Sequence, residues 1–99
     1  MGMWVGWIEF DILLGDVHSL KEKRSYVRPL IADLRRKFQL SASEVDHLDL
    51  HRRVAVGVCA ASSARQHLVE LIDDVERYVA NRPEIDLLAS RRGYHHSED

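Results

Sequence analysis

From Trp4 to Leu14 the even positions read Trp4, Gly6, Ile8, Phe10, Ile12 and Leu14, while Glu9 and Asp11 stand among the odd ones. Alternation with period two over this length predicts a strand that buries one face. Gly15, Asp16 and His18 supply a turn, and Ser19 followed three residues later by Glu22 is a capping box. From Leu20 the period changes: Leu20, Val27, Leu30, Ile31, Leu34 and Phe38 share one side of a helix. Pro29 interrupts it. With no N–H to offer the Ser25 carbonyl, it predicts a kink or an irregular, 3₁₀-like start.

Leu40–His47 reads as a weak strand, and the valine-rich segment from Arg52, with Val54, Val56 and Val58, as a strong one. "HLDLHR" between them is long enough for a hairpin connection. Ser63 with Gln66 repeats the capping-box spacing, and Leu68, Leu71, Ile72, Val75 and Val79 form a second amphipathic stripe that stops before Pro83. Glu84–Arg92 makes a last short strand, and the polar "GYHHSED" is expected to fray. The order strand, helix, strand, strand, helix, strand predicts an α+β ferredoxin-like βαββαβ sandwich, two helices on one face of a four-stranded antiparallel sheet. Residues 1–94 then form a single domain and 95–99 a tail.

A chain of 99 residues has length for one core only. With 45% apolar and 30% charged residues it lies well away from disordered composition. The apolar N-terminal stretch is broken by Glu9 and Asp11 and is too short to span a bilayer, so a cytoplasmic protein without a membrane segment is expected. The one cysteine, Cys59, excludes an internal disulfide and any CxxC chemistry.

Charge changes the picture more. The net charge is −2, yet between Lys21 and Lys37 seven Lys or Arg face only Glu22 and Asp33, a local +5 that leaves −7 elsewhere. At roughly 100° per residue, Lys21, Arg24, Arg28 and Arg35 form a stripe beside the apolar face of the helix. Lys23 points into that face and is expected to snorkel to water. A row of cations one or two turns apart can follow a phosphate backbone. Lys21, Lys23, Arg24, Arg28, Arg35 and Arg36 are therefore the candidate nucleic-acid contacts. The competing expectation is neutralisation by Glu70, Asp73, Asp74 and Glu76 on the second helix.

A second candidate surface is the outer face of the sheet, where the odd positions place Val5, Trp7 and Leu13 over Ala55, Gly57 and Cys59. An aromatic over small neighbours suggests a surface to be covered, in the first instance by a second copy of the chain. RNA-recognition motifs share the topology and stack bases on this face, but the third strand here has no aromatic residue. His47, Asp49 and His51 could fall on one side of an extended segment, although without a fourth ligand a polar loop explains them and no metal site is assigned. Neither a phosphate loop, a nucleophile elbow nor HExxH occurs, so no cofactor and no enzymatic activity are expected.

The runs "SLKEKRSYVRPLIADLRRKF", "SEVDHLDLHRRVAVGV" and "ERYVANRPEIDLL" resemble the YlxP-like family of small bacterial proteins, a domain of unknown function, over almost the whole chain. Its "SLKxKR" pattern matches Ser19, Leu20, Lys21, Lys23 and Arg24. The resemblance implies a ferredoxin-like fold. Genes of the family typically lie beside those for transcription-elongation and translation-initiation factors and a ribosome-binding factor, which implies work near RNA or the ribosome. No catalytic or cofactor residue carries over. The expectation is a non-enzymatic accessory protein bound to ribosomal RNA or a ribosomal subunit through its first helix. The alternative is a dimeric protein-interaction module using Val5, Trp7 and Leu13.

Overall fold

The alternating N-terminal segment becomes β1, Trp4–Leu14, in the computed structural model, which describes residues 1–99. α1 (Leu20–Phe38), β2 (Ser41–Asp46), β3 (Arg53–Ser62), α2 (Arg65–Ala80) and β4 (Ile85–His96) follow in the expected order. The strands form one antiparallel sheet in the order β2-β3-β1-β4, the α+β ferredoxin-like arrangement. Ile8, Phe10, Ile12 and Leu14 of β1 and Val54, Val56 and Val58 of β3 meet Leu30 and Leu34 of α1 and Ile72, Val75 and Val79 of α2 in one core. Each such side chain, fully buried, contributes about 1.5–3 kcal/mol by leaving water. No helix is long and apolar enough to cross a membrane.

The helices are staggered. α1 meets α2 along its C-terminal half, where Phe38 packs edge-on to Tyr78 with ring centroids 5.6 Å apart and Asp33 binds Arg82 at 3.0 Å. Its N-terminal half extends past α2 and lies against β2 and the turn that follows. The molecule is accordingly elongated, 49 × 23 × 21 Å.

Local details depart from the sequence reading. α1 is α-helical throughout with Pro29 inside it, so of the two outcomes expected of Pro29 the irregular, 3₁₀-like start does not occur. Ser25 and Pro29 both face solvent, where water can satisfy the carbonyl left without a donor. Ser63 does not cap α2; Ala64 occupies the N-cap position without a side-chain bond, and Ser62 Oγ accepts the Ala64 N–H instead. β4 runs to His96 rather than Arg92, because the residues read as a fraying tail pair with β1 as far as Trp4. Trp4 meets His96 edge-on at 5.1 Å, and the Arg65 guanidinium lies 4.7 Å from the Tyr94 ring centre.

Arg92 ties β4 to α2 through Asp73 and Glu76. Burial works against its charge, but the hydrogen bonds and the field of these carboxylates outweigh that, and its pKa is raised.

The outer face of the sheet partly covers itself. A Cβ on Gly93 would stand 2.7 Å from the Trp7 indole, and one on Gly57 2.8 Å from Val45 Cγ1, so each large side chain lies down over a glycine of the neighbouring strand. Gly93→Ala is expected to cost about 1–3 kcal/mol by overpacking, read as a lower urea midpoint together with altered tryptophan fluorescence. An unchanged midpoint would show that Trp7 moves aside freely.

Candidate nucleic-acid interface

α1 begins at an extended Ser19, whose Oγ accepts the Glu22 N–H at 3.1 Å. This is the Ser19 half of the expected capping box, and it positions the basic side chains of the next turns. The structure then divides the six candidate cations into two groups.

Lys23 does not reach water. It is 3% exposed, and its Nζ donates to the His47 carbonyl at 2.7 Å and lies 2.8 Å from Glu44 Oε2. Glu44 Oε2 makes no aligned hydrogen bond of its own, so its attraction to the ammonium is chiefly coulombic. The expected snorkelling fails because β2 and the following turn close over this end of α1. His47 adopts a left-handed conformation, φ 60°, and its carbonyl also accepts the Leu50 N–H at 3.1 Å. One lysine thus holds the turn between β2 and β3 against the helix.

Arg35 is also committed: its Nε and Nη2 donate to the Ala42 carbonyl at 3.1 and 2.6 Å, joining the C-terminal half of α1 to β2. Arg36 Nη2 pairs with Asp33 at 2.7 Å on the surface. The acids of α2 do not neutralise the stripe. Asp73 and Glu76 take Arg92, Asp74 takes Arg77, and Glu70 faces the Gln66 amide. The stagger of the helices is the reason, since the basic half of α1 has no second helix beside it. Lys21, Arg24 and Arg28 remain exposed on one flank of α1 without an ion pair.

Arg24 and Arg28 border a cleft of about 390 Å³ between α1 and the turn after β2, with Leu20, Lys23 and Val27 on the helix side and Glu44, Leu48 and Asp49 opposite. Leu48 is 60% exposed. Glu44 and Leu48 belong to this site although neither is a cation of the helical stripe. The available signal was Lys23 itself, a cation within an apolar sector that must find an acidic partner if it is buried. Arg52 supports the site from outside the helix: its Nε donates to the Gly15 carbonyl at 2.7 Å and so holds the loop leading into α1, a contact that no local pattern in the sequence signals.

On the outer sheet face Val5, Trp7 and Leu13 are half-buried and do not form one apolar patch, because Glu9 and Asp11 lie between them. Asp11 receives a two-pronged contact from Arg53 at 2.6 and 2.7 Å, and Glu9 approaches Arg91 at 3.9 Å. His47, Asp49 and His51 are not brought together as ligands. His47 Nε2 turns towards Asp11 at 3.8 Å while Asp49 lines the cleft, and no group of three His, Cys, Asp or Glu is placed to hold a metal ion.

Residues 5–92 match the family described as "Protein of unknown function (DUF503)". The chain belongs to this family. The "Uncharacterized protein YlxP" of Bacillus subtilis (strain 168) is 30% identical over 87 residues, which cover 88% of this chain and 95% of that protein. The match takes in the whole of the cleft and all six candidate cations, and the family is uncharacterised.

Removing the Lys23 ammonium while leaving the Glu44 carboxylate tests the pair. Lys23→Met is expected to lower stability by about 2–3 kcal/mol, somewhat under the usual cost of breaking a buried pair because Glu44 is partly solvated. Lys23→Met with Glu44→Gln should recover about half of that in urea denaturation. No recovery would show that the His47 carbonyl, rather than Glu44, is the partner that matters.

Proposed function

We propose that this protein is a non-enzymatic, cytoplasmic accessory factor that binds RNA, ribosomal RNA or a ribosomal subunit in particular, through phosphate contacts from Lys21, Arg24 and Arg28. The observation that supports this reading is the division of the cations. Lys23, Arg35 and Arg36 have partners within the molecule, whereas Lys21, Arg24 and Arg28 face solvent along one flank of α1 without any. Their spacing of three and four residues puts them about one turn apart on the same side, a row suited to successive phosphates.

Three phosphate contacts give a salt dependence of known form: affinity should fall by roughly twentyfold or more between about 50 and 200 mM salt. Co-sedimentation with ribosomal subunits and with free ribosomal RNA at two salt concentrations measures it. Arg24→Glu with Arg28→Glu should abolish pelleting while leaving the circular dichroism unchanged. Undiminished binding by that variant would remove the reading.

A second reading rests on a different observation. No helix or loop lies over the outer sheet face, where Trp7, Val45 and Cys59 line a shallow groove that the side chains lying over Gly57 and Gly93 leave open. A second copy of the chain, joined through Val5, Trp7 and Leu13, would cover it and leave both helices outward. Sedimentation velocity of the wild type and Trp7→Glu tests this: a dimer that dissociates in the variant supports it, and monomers in both remove it.

A further inference from the structure

We propose that the cleft between α1 and the turn after β2 seats one unstacked nucleotide of single-stranded RNA, its phosphate on Arg24 and Arg28 and its base against Leu48 and Asp49. The inference rests on the phosphate-contact reading and adds which form of RNA the same surface selects.

A row of helix cations alone reads the backbone of any nucleic acid. The neighbouring cleft adds features that a duplex backbone does not use. Its volume, about 390 Å³, lies within the range of pockets that hold small ligands. Its walls are unlike each other. The α1 wall carries the two unpaired guanidinium groups together with Leu20 and the core residue Val27. The opposite wall carries Leu48, largely exposed at the tip of a polar turn, which offers apolar surface to a planar ring.

Two carboxylates line the cleft, and they differ in what is left to them. Glu44 is engaged by Lys23, so its charge is offset. Asp49 is exposed and has no cationic partner. It repels a phosphate placed beside it and accepts a hydrogen bond from the exocyclic amino group of a base. The phosphate therefore belongs on the α1 side and the base on the turn side. In a duplex that amino group is committed to pairing and the base to stacking, so the sequence edges of RNA are offered chiefly where the strand is open.

Lys23 is a positioning residue in this arrangement. Enclosed beneath the cleft, it holds the turn at its His47 carbonyl and Glu44 and thereby keeps the second wall at its distance from α1.

Fluorescence anisotropy with labelled oligocytidine, oligouridine and an RNA hairpin stem of similar phosphate count tests the proposal, since cytosine carries an exocyclic amino donor and uracil carries none. Oligocytidine should bind about fivefold or more tighter than the hairpin, and tighter than oligouridine. Leu48→Ser should weaken oligocytidine binding by about fivefold without changing its salt slope, because no phosphate contact is lost. Asp49→Asn should narrow the preference for cytosine over uracil. Leu48 and Asp49 are exposed turn residues, and thermal melts of both variants check that the fold is intact. A hairpin bound as tightly as oligocytidine, or a Leu48→Ser variant that binds as wild type, overturns the nucleotide cleft while the Arg24/Arg28 stripe still stands. Loss of salt-sensitive binding to every RNA, or insensitivity to Arg24→Glu with Arg28→Glu, overturns both.

Discussion

An ammonium group enclosed in a protein has to be met by oxygen atoms, and Lys23 is met by two from one short stretch of chain, the Glu44 carboxylate and the His47 carbonyl. Removal from water costs several kcal/mol per ion unless geometry restores the interaction. That requirement couples elements far apart in sequence. The first turns of α1 cannot lift from the sheet without exposing the pair, and the turn after β2 cannot relax without leaving the ammonium unmatched. Arg35 repeats the device further along the helix by forking onto the Ala42 carbonyl. Between them the two side chains clamp α1 along the whole length of the edge strand β2.

The clamp also decides how the charge of α1 is distributed. A helix carrying seven cations has a uniformly basic aspect only while its tertiary neighbours are unknown. Once α1 is seated, the side chains that face β2 become structural bonds. Lys21, Arg24 and Arg28, on the flank turned away from β2, keep their charge for solvent or a partner. The stagger of the two helices preserves that charge, because the acids of α2 find Arg92 and Arg77 before they reach α1. The cleft beside Arg24 and Arg28 is a product of the same seating. Its floor is the Lys23 node, and its far wall is the turn that the node holds.

On the opposite face of the sheet, glycines take the place of a covering layer. Trp7 lies over Gly93 and Val45 over Gly57, so two large apolar side chains lose part of their contact with water without another element above them. The bulge that inserts Val45 between Glu44 and Asp46 gives the edge strand its extra residue. Ordinary alternation from the buried Ala42 places Glu44 on the helix side, where it meets Lys23, and Val45 on the outer face; the bulge then sets Asp46 opposite Ala55.

The element order, the core and the antiparallel sheet were legible in the sequence, because period-two and period-3.6 patterns depend only on which face of an element is buried. Ile8, Phe10 and Ile12 announce their face wherever the strand lies. The Ser19 cap and the basic stripe were legible for the same reason, being set by neighbours within one or two turns. The extension of β4 was not, since polar residues such as His95 and His96 become strand only because β1 runs alongside to pair with them. Nor was the fate of each cation. Lys21, Lys23 and Arg24 lie within four residues of one another and are alike in charge, and what separates a buried bond from a free contact is how the helix sits on β2. Local chemistry determined the elements and their apolar faces; contact between elements distant in sequence decided which charges are left over, because pairing depends on distances that no local pattern encodes.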